Sequence, residues 1–247
     1  DLDPVDDMRL ISTVVLTLST LGPLGLAAQA TPLPLEEGSI FAVVTHKSGL
    51  ASGLAHNHFV VADRFLAEFA FDEADPTNST LRFSTLTEDL VIDDPELQAA
   101  WIDRIRALGL VDEFGDLDEG NRAKVRAQML HEDQLDPENY SVIGAQVTSI
   151  AASTTEIGEV QFDLMATVDV TIHGTTVTRE VPVRYERSGE ALAIEGVGRF
   201  QFEEFGIKPY SAFLGTVKVQ NDFEIYLNLK TTVVDSEATT GSPNSPL

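Results

Sequence analysis

His56 and His58 are the two residues of this chain best spaced for chemistry. In an extended segment, residues i and i+2 point to the same side. Two imidazoles there could bind one metal ion or a haem iron, with His46 or a carboxylate as a third ligand. The same spacing suits the plain start of a strand in which one ring bonds to backbone, and both readings stay open. His131 and His173 read as a surface helix residue and a turn residue. Residues 112–121, DEFGDLDEGN, gather several carboxylates around a glycine. Asp116, Asp118 and Gly120 partly fit a calcium loop, but the full spacing and the terminal bidentate Glu are missing. The other reading of this segment is a solvated loop that caps the helix after it. Glu203 and Glu204 sit beside aromatic residues, yet neighbours on a strand face opposite ways, a poor geometry for a glycosidase pair. There is no G-x-S-x-G elbow. There is no cysteine, which excludes disulfides, thiolate catalysis and thiolate metal sites. With no catalytic constellation in view, the chain is expected not to be an enzyme.

The elements that must position these residues are mostly strands. From residue 160 to 172, every even position except Ala166 carries a sizeable apolar side chain: Val160, Phe162, Leu164, Val168, Val170 and Ile172. The odd positions run Gln161, Asp163, Met165, Thr167, Asp169 and Thr171. A strand sends successive side chains to opposite faces, so this is one long strand with a dry and a wet face. Similar patterns predict strands over residues 39–46, 58–72 (bent or split near Asp63), 79–90, 141–150, 176–187, 191–202 and 217–230. That makes eight in all, several joined by short Gly-containing turns as hairpins are. The fold class expected is all-β: an eight-stranded antiparallel lipocalin-like barrel. Eight strands leave room for one small ligand.

Residues 93–140 break the pattern. Pro95 follows Asp94, a helix cap, and Leu97, Trp101, Ile105 and Leu108 recur at helical spacing. Asn121 is expected to open a second helix with Val125 and Met129 on one face. The reading is a two-helix insertion lying against the barrel, over its mouth in one arrangement. Arg104, Arg106, Arg122, Lys124 and Arg126 form the densest positive cluster, available either to a ligand head group at the mouth or to acids along the same helices.

Residues 8–30 have the three parts of a secretory signal peptide: Met8 and Arg9, an apolar run from Leu10 to Leu26, and an Ala28-Gln29-Ala30 cleavage site. The run is too short and too interrupted to span a membrane, so no integral membrane span is expected in the mature chain. The domain plan is therefore an extension and signal peptide over 1–30, a barrel domain over 36–232, and a disordered tail over 233–247, rich in Ser, Thr, Gly and Pro. The expected location is the periplasm or outside the cell. The chain has 247 residues and a net charge of −24. Without residues 1–30 it still carries 36 acidic and 15 basic residues, a charge of −21. Such a chain is a poor partner for nucleic acid or an anionic membrane surface. The charge reads first as solubility.

Several segments in order resemble the YceI-like family. They are Ala55-His56-Asn57-His58-Phe59 leading to Phe69-Ala70-Phe71-Asp72, then Asp136-Pro137-Glu138-Asn139-Tyr140. Val168-Asp169-Val170-Thr171-Ile172-His173-Gly174 follows, then Gly198-Arg199-Phe200-Gln201-Phe202 with Phe205-Gly206-Ile207, and finally the strand from Gly215 to Leu229. The resemblance covers roughly residues 38–230. It implies an elongated eight-stranded barrel with a hydrophobic tunnel for a long isoprenoid, such as a quinone or polyprenol tail. The chain departs from the family in its longer helical insertion and in its His56-Asn57-His58 start.

The residues carry the same idea. On residues 191–202 the even face reads Leu192, Ile194, Gly196, Gly198, Phe200 and Phe202. Inward glycines beside aromatic walls leave space or mark a close approach. The channel is expected to be lined by Phe162, Leu164, Ala166, Ile194, Gly196, Phe200, Phe223 and Ile225. The function expected is an exported lipid-binding protein holding an isoprenoid- or quinone-like ligand. The alternatives are a metal- or haem-binding protein using His56 and His58, or a structural or stress module with a filled barrel. No cofactor is required beyond a bound lipid, the metal question is open, and so is a homodimer.

Overall fold

The computed structural model describes residues 32–50, 55–212, 214 and 216–233. The expected signal segment and the tail from residue 234 onward lie outside these. Val233, counted above with the tail, donates its N–H to the carbonyl of Glu190 at 2.8 Å.

Twelve strands form one sheet in which every pairing is antiparallel. In chain order they are β1 (Pro32–Leu33), β2 (Ile40–Ser48), β3 (His58–Ala62), β4 (Leu66–Ala70), β5 (Thr80–Leu86) and β6 (Leu90–Ile92). After two helices come β7 (Val142–Ile157), β8 (Val160–Ile172), β9 (Thr175–Ser188), β10 (Ala191–Gln201), β11 (Ser211–Ala212) and β12 (Val217–Thr232). The twelve reduce to the expected eight when two bends are recognised and the two-residue strands β1 and β11 are set aside. β3 and β4 are two halves of one strand broken near Asp63, as the sequence predicts. β5 and β6 are two halves of the next, interrupted by a 3-10 turn at Thr87–Asp89. β4 pairs with β5 from Ala70↔Thr80 to Leu66↔Ser84, and β3 pairs with β6 from Ala62↔Leu90 to Val60↔Ile92. The two bends are pinned together. Asp63 N–H donates to the Asp89 carbonyl, the Thr85 hydroxyl donates to the Arg64 carbonyl, and Arg64 pairs with Asp89.

The sheet therefore curls round. β2 pairs with β3, the β5–β6 strand pairs with both β3–β4 and β7, and β8, β9, β10 and β12 lead back to β2. The two short strands β1 and β11 only extend the edges of β4 and β12. Between β8 and β9 the chain reverses at His173 and Gly174, both with positive φ. That is the turn sense that matches the right-handed twist of a hairpin. The Tyr140 ring lies where a Cβ on Gly174 would be, so glycine is needed there on both counts.

β7 runs seven residues past the expected end at 150. Residues 151–157 read AASTTEI and lack alternation; they are held as strand by pairing with β8, through a register shift between Ala152 and Thr155. Cross-strand pairing has overridden a weak local preference.

The first helix, α1 (Pro95–Ala107), begins as its sequence predicts. Asp94 accepts from the N–H groups of Glu96 and Leu97, and Pro95 takes the first turn, where no N–H is needed. The second, α2 (Glu119–Met129), begins two residues before the expected Asn121, because Asp118 is the cap and accepts from Asn121 N–H. Asp118 thus serves the helix, as the cap reading of the acidic loop required. No helix among the described residues is long and apolar enough to cross a membrane.

The alternation splits the barrel wall into two buried faces. Odd residues of β2 and β12 point inward; their even neighbours Ala42, Val44 and Tyr226 point outward, with Phe59 and Val61 of β3. α1 covers this outer patch through Ile105 and Leu108.

Candidate functional site

The inward faces enclose a cavity of about 160 Å3. All eight bent or straight strands contribute walls. Examples are Phe41 of β2, Phe83 of β5, Ala145 of β7, Ala166 of β8, Val183 of β9 and Ile194 of β10. Two of the polar side chains in the lining spend their groups on backbone. Thr85 donates to the Arg64 carbonyl and Ser79 accepts from Asp72 N–H. The lumen is thus walled almost wholly by hydrocarbon, and no charged residue is among its lining.

Five of the eight expected lining residues are there: Leu164, Ala166, Ile194, Phe200 and Ile225. Phe162, Gly196 and Phe223 are not. β8 last pairs with β9 at Leu164↔Val183, so the tip of the β7–β8 hairpin leaves the barrel wall. Phe162, fully buried, packs instead in the outer cluster with Ile105 and Leu108. At Gly196 the Leu227 side chain sits 3.4 Å from the place a Cβ would take, so the gap left by the glycine is filled. Of the two glycines of β10, Gly198 is the one that borders the lumen. A Cβ there would lie 2.8 Å from the Phe200 ring and 2.9 Å from Val181, so only glycine lets that ring fold back along its own strand.

Phe223 borders a second cavity, of about 410 Å3, at one end of the barrel. The two share Val43, Val60, Leu90, Ile143 and Ile172 as walls, so they lie end to end. α2 covers this mouth with Val125 and Met129. The segment 202–210 covers it with Phe202, Phe205 and Ile207. Of the two helices, then, α2 lies over the mouth while α1 lies on the outer wall.

The mouth is where polar side chains gather. Thr45, His58, Lys124, Gln128, Gln134 and Tyr210 border it. His58 Nδ1 is 2.6 Å from the Asp93 carboxylate. Asp93, only 2% exposed, also accepts from Phe59 N–H at 2.9 Å and Gln98 Nε2 at 3.0 Å. His56 does not join His58. Its ring lies against Gly115, where a Cβ would collide with it. His46, expected as a third ligand, is paired with Glu224, which Arg199 also binds. Among the described residues, no three His, Cys, Asp or Glu side chains come together to hold a metal ion. The paired histidines have local partners rather than a common centre.

The basic cluster is dispersed in the same way. Arg104 makes a two-pronged pair with Glu195 of β10, across to the barrel rather than along its helix. Arg106 binds Asp103 and the Asp112 carbonyl; Arg122 and Arg126 donate to the carbonyls of Leu117 and Glu88. Only Lys124 of the cluster borders the mouth. Glu195 also takes Arg184 and the Tyr226 hydroxyl, the latter at 2.9 Å. Burial, and then the Glu195 charge, push the Tyr226 phenol well above its ordinary range. The hydrogen bond to Glu195 holds Arg104 even more firmly protonated than usual.

Of the polar residues that border the mouth, Thr45, Gln128, Gln134 and Tyr210 escaped the sequence reading, as did Asp93 behind His58. Thr45 has a legible signal. It follows Phe41 and Val43 on the apolar parity of its strand, so a hydroxyl falls where a hydrocarbon is expected. Asp93 gives none, because its burial follows from the return of the chain from β6 to α1.

An antiparallel barrel around an apolar lumen, with a covered mouth at one end, is a lipocalin-type architecture. The chain belongs to the YceI-like family: the family's YceI-like domain matches residues 41–231. Among solved structures it is similar to BcnA of Burkholderia cenocepacia, with a TM-score of 0.55 and 16% identity over 81% of this chain and 100% of that one. A polyisoprenoid binding domain from Saccharophagus degradans gives 0.45 and 8%, over 82% and 98% of the two chains. The YceI protein of Campylobacter jejuni gives 0.44 and 8%, over 71% and 85%. At such identities the likeness concerns the fold. No curated protein matches the sequence.

Proposed function

We propose that the protein is exported and holds one long apolar lipid, isoprenoid- or quinone-like, with its tail in the lumen. The observation that carries this is the cavity of about 160 Å3 bounded by hydrocarbon on every strand. A barrel that served only as scaffold would fill this space, since protein interiors pack about as tightly as organic crystals. Apolar area withdrawn from water there contributes about 25 cal/mol per Å2, enough to retain a long tail without any polar contact. Export rests on the signal-like residues 8–30 and on membership in a family whose members are typically periplasmic.

The test is native mass spectrometry of the protein purified from a membrane-containing lysate, followed by organic extraction. An extractable apolar ligand is expected. It should be lost in Ala166→Trp, which fills the lumen, while circular dichroism shows the fold retained. A mass equal to the bare polypeptide overturns the reading in favour of a filled barrel.

A further inference from the structure

We infer that the mouth cavity is a head-group site that selects an uncharged, hydroxyl-bearing end of the lipid, with Thr45 and His58 as its hydrogen-bonding pair. The inference rests on the lumen holding the tail. Thr45 continues the inward row of β2 after Phe41 and Val43, at the mouth end. Across the sheet it stands between Phe223 of β12 and His58 of β3, its register partners on either side. Directly opposed residues of antiparallel strands have neighbouring side chains on one face. The three make one rung that borders the cavity.

Thr45 differs from the other buried threonines. Thr85, Thr87 and Thr231 each donate to a backbone carbonyl, at 2.6, 2.8 and 2.6 Å. Thr45 is 7% exposed, and its hydroxyl oxygen is buried with no hydrogen-bond partner among the described residues. A buried, unpaired hydroxyl is costly and uncommon, so its position beside a cavity points to a ligand oxygen. His58 complements it. When Nδ1–H donates to the Asp93 carboxylate, the neutral tautomer presents Nε2 as an acceptor. One ligand hydroxyl can accept from Thr45 and donate to His58.

Charge excludes the phosphorylated alternative. The only cation among the lining residues is Lys124, and its ammonium is 3.2 Å from the Asn121 side-chain oxygen. Sites that hold phosphate converge several arginines, lysines or backbone N–H groups on it. No arginine and no second lysine borders the cavity, within a chain of net charge −24. A dianionic head would find a single lysine to balance it.

The experiment compares three ligands with the same fifteen-carbon prenyl tail on the full chain by calorimetry: farnesol, farnesyl monophosphate and the hydrocarbon farnesene. Farnesol is expected to bind about tenfold more tightly than either of the others, the scale of one or two neutral hydrogen bonds in a dry site. Thr45→Val should erase the advantage over farnesene and leave farnesene binding unchanged; Thr45→Ser should restore it. Tightest binding of the monophosphate, or an undiminished farnesol preference in Thr45→Val, overturns the head-group assignment. Farnesene bound as well as farnesol by the unaltered chain overturns it too, while leaving the lumen reading intact. Failure of all three to bind overturns both.

Discussion

The barrel wall has an inner face and an outer one, both buried and both rich in phenylalanine and aliphatic side chains, and they are built differently. Outside, under α1, Phe59, Val44, Ile105 and Tyr226 are each wholly buried and pack against one another. The charges among them are matched: Glu195 is only 3% exposed, yet it takes Arg104, Arg184 and the Tyr226 hydroxyl. Inside, no charged group needs a partner, and a cavity remains. Burial alone therefore does not mark a binding site. Buried apolar surface that still faces space does, because side chains lining a void lack contacts on one side.

Truncation should separate the two faces most strongly. Phe59→Ala on the outer face removes a wholly buried ring whose centroid lies 5.1 Å from that of Phe114 and should cost about 3–5 kcal/mol. Leu164→Ala on the inner face, with fewer contacts to lose, should cost under about 2 kcal/mol, below the usual range for a core leucine. Urea unfolding of ligand-free protein checks the pair. Equal costs would mean that the lumen is as tightly packed as the outer layer.

Enlargement gives a smaller effect of opposite pattern. Val44→Leu adds a methylene to the packed outer layer and should cost about 1–3 kcal/mol through forced rotamers. Ala166→Leu points into the lumen and should be neutral or stabilising by thermal denaturation, while reducing the amount of co-purifying lipid. If both substitutions destabilise alike, the space inside is not usable.

How much of this contrast is legible in the sequence depends on which interaction fixes each residue. Period-two alternation exposes the inner face of β8 and β12, and it finds the eight strands with the bend near Asp63, because one face of each strand meets hydrocarbon. The same alternation misplaces Phe162. It shares the parity of Leu164 and Ala166, but the hairpin tip has left the wall by then, and no local pattern records where pairing with β9 ends. Gly196 and Gly198 look equivalent as a sequence pair; the Leu227 side chain from β12 distinguishes them. His56 and His58 share a strand-like spacing, yet their partners Gly115 and Asp93 come from different parts of the insertion. Local chemistry is readable where the partner is one or two residues away, as with Asp94 and Pro95. It is hidden where the partner arrives through tertiary folding.

The matched outer cluster also carries the smallest expected effect, a dependence on alkaline pH. Burial first, and the Glu195 carboxylate second, raise the pKa of the Tyr226 phenol above that of an unfolded tyrosine, about 10. A group whose folded pKa is raised binds its proton more tightly in the native state. Its contribution is fully present below the unfolded pKa. As pH rises above about 10, the unfolded chain ionises this phenol while the native protein does not, so stability falls by up to about 1.4 kcal/mol per pH unit from this group. Tyr226→Phe removes the titration. It should lower stability near neutrality by about 1–2 kcal/mol through the lost hydrogen bond to Glu195, and it should flatten the alkaline limb relative to the unaltered chain. The checking measurement is the difference between the two urea-unfolding free energies from pH 8 to 11. A constant difference across that range would mean that Tyr226 titrates as freely folded as unfolded, and that the outer cluster does not shield it from solvent.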